Sequence, residues 1–78
     1  MKNPVFLNLF NARSNEVIEY DIKDVDRIMI APARELMSPT ARTLDKVDAL
    51  DLVLRVQLKG ECCKVYPLTQ WNMEFIYP

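Results

Sequence analysis

Apolar and polar residues alternate with a period of two along most of this chain. The alternation is clearest in residues 16–22, where Ile18, Tyr20 and Ile22 fall on one side, and in residues 51–58. Successive side chains of a β-strand point to opposite faces of a sheet, so this period predicts strands with one face in a core. Five prolines interrupt the runs, since proline cannot donate a hydrogen bond within a ladder. The pattern predicts a mainly β protein.

Five or six strands are expected in one small domain spanning residues 1–78. The first two, residues 5–11 and 16–22, should form a hairpin, because the polar loop between them has the Asn and Ser residues that favour turns. The later strands are expected at residues 27–31, 51–58, 62–66 and 71–77. We therefore expect a small antiparallel sheet or a half-barrel.

Side-chain faces follow from the same alternation. In the first strand Val5, Leu7 and Leu9 share one face, and Phe6 and Phe10 share the other. The strand at residues 51–58 should point four apolar residues inward and three residues outward: Leu52, Leu54, Val56 and Leu58 inward, and Val53, Arg55 and Gln57 outward.

Residues 32–51 allow two interpretations. Ser38 followed by Pro39 is typical of a helix start, and a short helix near residues 39–50 would place Ala41, Leu44 and Val47 on one face. That helix would make the fold α+β. The alternative is a long mobile loop that becomes ordered when a partner binds. In either case Arg34 and Arg42 are candidate recognition residues within this segment.

The residue types that are missing restrict the chemistry. The chain has no histidine and a single glycine, Gly60. Catalytic triads that use imidazole, four-ligand zinc sites and glycine-rich phosphate loops are therefore excluded, and we expect no enzyme and no cofactor. The adjacent Cys62 and Cys63 are interpreted as small apolar residues in a reducing cytoplasm, with a redox or soft-metal pair as the alternative.

An acidic segment is the one stretch with a strong charge of its own. Residues 16–26 hold five carboxylates and one lysine, which gives −4 in a chain whose net charge is −1. Glu19 and Asp21 should face outward on the second strand, and Asp24 and Asp26 continue the charge into the following turn. The segment could be an ordinary solvated face, a docking surface for a basic partner, or less readily a calcium site.

Two functions remain open for a chain of this kind. The favoured one is a cytoplasmic protein-interaction module, acting as a homodimer, an assembly subunit, or a small inhibitor or adaptor such as phages and mobile elements encode. Apolar residues on both faces of the first strand support it, because they suggest burial against another protein or a second copy. No apolar run is long enough to span a membrane.

The other function is a small β-barrel that binds nucleic acid. Scattered cations would contact the phosphates, and aromatic side chains would stack on the bases. The candidate cations are Arg13, Arg34, Arg42, Lys59 and Lys64. The candidate aromatic residues are Phe6, Phe10, Tyr66, Trp71, Phe75 and Tyr77. Few basic residues lie beside these aromatics, so nucleic acid is possible but not favoured.

Overall fold

The computed structural model describes residues 3–60 and 63–78, which contain six strands, a 3₁₀ turn and two short helices. The strands are β1 (Phe6–Asn11), β2 (Glu16–Asp21), β3 (Val25–Pro32), β4 (Leu52–Leu58), β5 (Cys63–Pro67) and β6 (Trp71–Ile76). The 3₁₀ turn (Ile22–Asp24) joins β2 to β3, and the helices α1 (Ala33–Leu36) and α2 (Pro39–Asp45) lie between β3 and β4. The expected mainly β class is confirmed.

The strands form two antiparallel sheets of three strands each. Sheet 1 has the order β2-β1-β6, and sheet 2 has the order β3-β4-β5. The expected β1–β2 hairpin is present, and β6 pairs with the other side of β1 from the opposite end of the chain. In sheet 2 the register shifts between Val25 and Arg27, so Asp26 lies in an irregularity at the start of β3.

The hairpin loop has the turn chemistry that its sequence predicts. The Asn11 side-chain oxygen accepts hydrogen bonds from the backbone N–H groups of Arg13, at 3.0 Å, and Ser14, at 3.3 Å. Asn15 closes the loop with a φ of 58°, in the left-handed region that asparagine tolerates better than most residues. These local bonds set the register in which Leu9 lies opposite Ile18.

The main core lies between the two sheets. Leu7 and Leu9 of β1 and Leu54 and Val56 of β4 are fully buried there, with the nearly buried Tyr66 of β5. Apolar residues of β2, β3, β4 and β6, with one from the 3₁₀ turn and one that follows β5, pack around them: Ile18, Tyr20, Ile22, Val25, Ile28, Leu58, Leu68, Trp71, Met73 and Phe75. The predicted inward face of the second strand, formed by Ile18, Tyr20 and Ile22, is therefore confirmed. Leu7 and Leu9, predicted to share a face of the first strand, both lie in this core, while Val5 is 38% exposed.

A second, smaller core lies on the other side of sheet 2. Val53 is fully buried against Ala33 and Val47, with Leu36, Met37 and Val65 packed around them. Val53 was expected to face solvent, and that expectation is wrong because the helical segment covers this half of the sheet. Leu52 was expected to point inward, but it is 51% exposed at the start of β4, opposite Pro32, and belongs to neither core.

The segment between β3 and β4 is helical and packed, and α2 is the helix predicted there. Ser38 caps it, since its hydroxyl oxygen accepts a hydrogen bond from the Ala41 N–H at 3.1 Å. The prediction of a helix near residues 39–50 is wrong in its extent and in part of its face. The helix ends at Asp45, and Lys46 turns the chain with a φ of 56°, so Val47 is buried while Leu44 stays 77% exposed.

None of the helices in residues 3–60 and 63–78 has the length and apolar character needed to cross a membrane.

Candidate protein-binding surfaces

The outer face of sheet 1 is the side of that sheet turned away from the main core. Because Leu7 and Leu9 point into the core, their neighbours on β1 point outward, and the strand register places residues of β2 and β6 beside them. We call this surface the acidic face. Its nine positions are Phe6, Asn8 and Phe10 on β1, Val17, Glu19 and Asp21 on β2, and Asn72, Glu74 and Ile76 on β6.

The middle row of the acidic face is its most polar part. Asn8 lies on the central strand, directly between Glu19 on one side and Glu74 on the other. Side chains directly opposite one another in a sheet have Cβ atoms about 5 Å apart, so the two carboxylates stand roughly twice that distance apart with the amide between them. A cationic group entering this row would be reached by both carboxylates.

On the same face, apolar side chains lie on both sides of that polar row along the strand direction. At one end Phe10 lies between Val17 and Asn72, and at the other end Phe6 lies between Asp21 and Ile76. Phe10 is 40% exposed and Val17 is 63% exposed, so part of this apolar surface is open to water. The face thus presents two aromatic rings on one strand with carboxylates between them.

The charge of the acidic face is of one sign. Three of its nine positions are carboxylates and none is lysine or arginine. Asp21 has a partial partner, because the Lys23 ammonium lies 3.6 Å from its carboxylate and the Lys23 N–H donates to it at 3.1 Å. Such an exposed pair contributes little free energy. No ion pair of Glu19 or Glu74 with another described residue is present.

Asn8 carries an unsatisfied polar atom at the centre of this face. Its side-chain oxygen is buried and has no hydrogen-bond partner among residues 3–60 and 63–78. A cleft of about 310 Å³ opens beside it, between Phe10, Val17 and Glu74. Leaving a buried acceptor without a partner costs about 1–3 kcal/mol, so this position is not optimised for the stability of the isolated chain.

The four predicted acidic residues do not form one surface. Glu19, Asp21 and Asp24 surround a depression of about 320 Å³ at the end of β2, together with Lys59. Asp26 lies on β3, in the other sheet. The structure therefore brings three of the four together and separates Asp26 from them.

Arg34 and Arg42 lie on the two helices over sheet 2. Arg34 is exposed on α1, while Arg42 is half-buried on α2. The Arg42 Nε atom is buried without a hydrogen-bond partner among the described residues. Beside it Lys46 and Asp48 line a shallow depression of about 440 Å³, so this basic position has both a cation and a carboxylate near it.

The five cations proposed for nucleic-acid binding are dispersed over the molecule. Arg13 lines a depression with Asp45 and Asp51 at one end of the protein, and Lys59 lies beside Asp24 in the depression described above. Carboxylates thus lie beside at least two of these cations. The aromatic set is also divided, because Trp71 and Phe75 pack against the main core.

Sequence reasoning missed a basic site on the outer side of sheet 2. Arg27 and Arg55 line one depression of about 460 Å³ with Asp26, Met29 and Gln57. No described carboxylate lies within 4 Å of either guanidinium. The sequence analysis also did not name Asn8 and Glu74 as candidate site residues. The outward position of Arg55 was visible in the alternation, but only the pairing of β3 with β4 places Arg27 beside it.

One of the two cysteines lies in the described part of the chain. Cys63 is a free, half-buried thiol on β5, and Cys62 lies outside the described residues. Within the described part of the chain, no cluster of three or more cysteine, aspartate or glutamate side chains could hold a metal ion.

Comparison of the chain with protein-family models finds no match, and comparisons with curated proteins and with solved structures find none either.

Proposed function

We propose that this chain is a non-enzymatic protein-interaction module that binds a basic partner protein through its acidic face. It would act as a small cytoplasmic inhibitor or adaptor, or as a subunit of an assembly. The observation that supports the proposal is the composition of that face, which combines three carboxylates and four apolar side chains with no cation on nine adjacent positions.

The apolar residues would contribute most of the binding free energy. Burial of apolar surface contributes about 25 cal/mol per Å², and exposed aromatic side chains are enriched where proteins bind each other. Phe10 and Val17 are adjacent across β1 and β2 and both remain exposed. A partner that covers them removes apolar surface from water, which the isolated chain leaves open.

The carboxylates would determine which partner binds and in what orientation. Glu19 and Glu74 flank the central position from both sides, so a lysine or arginine of the partner can meet two carboxylates at once. A second copy docked face to face on this surface would place these carboxylates against each other. Like charges held together in an interface are costly, so the acidic face favours a basic protein over a second copy of itself.

The test is capture of partners from lysate of the source organism, treated with nuclease, using three forms of the tagged chain. The first is the wild type, and the second is the acidic-face variant Glu19→Lys with Glu74→Lys. The control is Glu35→Lys with Asp48→Lys, which makes the same charge change at exposed positions on the helical side.

We expect one protein in stoichiometric amount with the wild type and the control, and its loss with the acidic-face variant. The reason is that the variant places ammonium groups where the partner's cations bind. Equal capture by all three forms, or capture of no protein, would contradict the proposal.

Nucleic-acid binding is the second candidate, and the depression shared by Arg27 and Arg55 is the observation that favours it. Arginine binds phosphate with two parallel hydrogen bonds, and such binding weakens steeply as salt rises. A gel-shift with labelled RNA and single-stranded DNA at low salt tests it. This candidate predicts a shift that Arg27→Gln with Arg55→Gln abolishes and Arg13→Gln retains.

A further inference from the structure

The outer side of sheet 2 is covered along only part of its length. Val53 of β4 lies in the smaller core, under α1. Arg55 and Gln57 point to the same side, since side chains alternate along a strand, but neither belongs to that core. The register of β3 against β4 places Met29 beside the former and Arg27 beside the latter. This part of the outer side therefore lies beyond the smaller core, and it holds the depression of about 460 Å³ that both arginines line.

Arg27 and Arg55 are diagonal neighbours in this register. Residues in such positions lie about 7–8 Å apart, which is within the combined reach of two arginine side chains. Arg27 is exposed and Arg55 is half-buried. Neither guanidinium has a hydrogen bond or an ion pair with another residue in the ranges 3–60 and 63–78. Two neighbouring cations repel each other, and an anion bound between them would remove that repulsion.

One carboxylate lies at the same depression. Asp26 is exposed in the irregularity at the start of β3, and it makes no ion pair with either guanidinium. The two arginines and this carboxylate give the depression a net charge of +1. A compact anion can sit between the guanidinium groups, whereas an extended polyanion would bring further negative charges toward Asp26.

We propose that the depression shared by Arg27 and Arg55 binds a single phosphomonoester group, with one guanidinium on each side of it. Such a group has a charge of about −1.5 to −2 at pH 7 on three oxygens, which matches the charge of two guanidinium groups. Arginine also binds phosphate through two parallel hydrogen bonds, so two arginines can engage all of these oxygens.

A nucleic-acid backbone fits the depression less well than one phosphate group does. Its charge is spread along the strand, so tight binding needs several cations in a row. Arg13 and Lys59 line other depressions, each with carboxylates beside it. The depression lies on sheet 2, away from the acidic face of sheet 1, so phosphate binding there does not depend on the proposed basic partner.

The first test is an NMR titration of the ¹⁵N-labelled chain with methyl phosphate at constant ionic strength. We expect saturable shifts of the β3 and β4 amides around the depression. Arg27→Gln and Arg55→Gln should each weaken binding about tenfold, because each removes charged hydrogen bonds to the phosphate. Arg13→Gln is the matched control, since it removes the same charge at a separate depression and should leave the affinity unchanged. The dispersion of the amide signals confirms that each variant is folded.

Asp26→Asn provides a test with the opposite sign. It removes the carboxylate from the depression and should strengthen binding several-fold, because the ligand is then no longer repelled. Dimethyl phosphate, a diester with a single charge, should bind several-fold more weakly than methyl phosphate. Adenosine monophosphate and a peptide containing phosphoserine have the same terminal group as methyl phosphate, and the tighter binder of the two identifies the source of the group.

Shifts that do not saturate, or that Arg27→Gln and Arg55→Gln leave unchanged, would overturn the proposal, as would equal affinities for the monoester and the diester. A gel shift of nucleic acid that needs both arginines, in a chain that does not bind methyl phosphate, would overturn it in favour of nucleic acid. Glu19→Lys with Glu74→Lys should bind methyl phosphate as the wild type does. Failure of phosphate binding is therefore distinguishable from failure of the acidic face to capture a partner.

Discussion

At the scale of single residues, the main polar contact in the core joins the two sheets. The hydroxyl groups of Tyr20, from sheet 1, and Tyr66, from sheet 2, are hydrogen-bonded to each other. The Tyr66 ring also makes edge-to-face contacts with Tyr20 and with Trp71, the latter at a centroid distance of 5.2 Å. Burial raises the pKa of Tyr66 well above its ordinary value, and the hydrogen bond with Tyr20 raises it further.

This raised pKa predicts a loss of stability at high pH. The unfolded chain releases the Tyr66 proton at a pH of about 10, while the folded chain retains it. The free energy of unfolding should therefore not change with the ionisation of Tyr66 below about pH 10, and it should fall as the pH rises further. Urea denaturation at several pH values measures this.

Tyr66→Phe is the control for the pH dependence, because it removes the titrating group while it keeps the ring. The variant should be less stable at neutral pH, where Tyr20 loses its partner, by about 1 kcal/mol. Its stability should decline less steeply at high pH than that of the wild type. Equal slopes in the two proteins would contradict the assignment to Tyr66.

At the scale of elements, α2 is a short helix whose two ends are both stabilised locally. Ser38 satisfies the Ala41 N–H at its start, and Pro39 occupies the first turn, where proline is favoured. At its end the Lys46 N–H donates to the Arg42 and Thr43 carbonyl groups. A helix of seven residues has few internal hydrogen bonds, so these ends contribute a large share of its stability.

Ser38→Ala should lower the free energy of unfolding by about 1 kcal/mol, since it removes the hydrogen bond at the start of α2. Ser38→Asp should retain most of the stability, because a carboxylate can accept the same bond. Thr40→Ala, two residues along, is the matched control with an expected change below about 0.5 kcal/mol. Urea denaturation distinguishes them, and equal losses for Ser38→Ala and Thr40→Ala would argue against the cap.

At the scale of the whole molecule, β4 is the strand that holds the layers together. Leu54 and Val56 on one side pack between the two sheets, and Val53 on the other side packs under α1 and Val47. The strand is central in sheet 2 and is buried on both faces along part of its length. The three layers therefore depend on the same few residues.

Leu54→Ala should lower the free energy of unfolding by about 2–5 kcal/mol, because it leaves a cavity where the sheets meet. In a domain this small that is a large part of the total stability. Leu44→Ala is the matched control, since the same side chain is removed at a position that is 77% exposed. Its change should stay within about 0.5 kcal/mol. Thermal or urea unfolding measures both, and similar losses would contradict the layered core.

Some residues of the candidate site could be predicted from the sequence, and others could not. The alternation placed Glu19 and Asp21 on an outer face, because this depends only on neighbours along the chain. Glu74 could not be placed beside them, since it lies on β6 and reaches the acidic face only through the pairing of β6 with β1. Arg27 and Arg55 share a depression for the same kind of reason, through the pairing of β3 with β4.

The sequence by itself determined the features that have local causes. These are the strands, set by the period of two, the β1–β2 hairpin, set by turn residues, and the start of α2, set by Ser38 and Pro39. The tertiary structure decided which strands pair at long range, and therefore which surfaces are covered. Val53 shows the difference: alternation assigns it to one face of β4, but only α1 and Val47, packed on that face, exclude water from it.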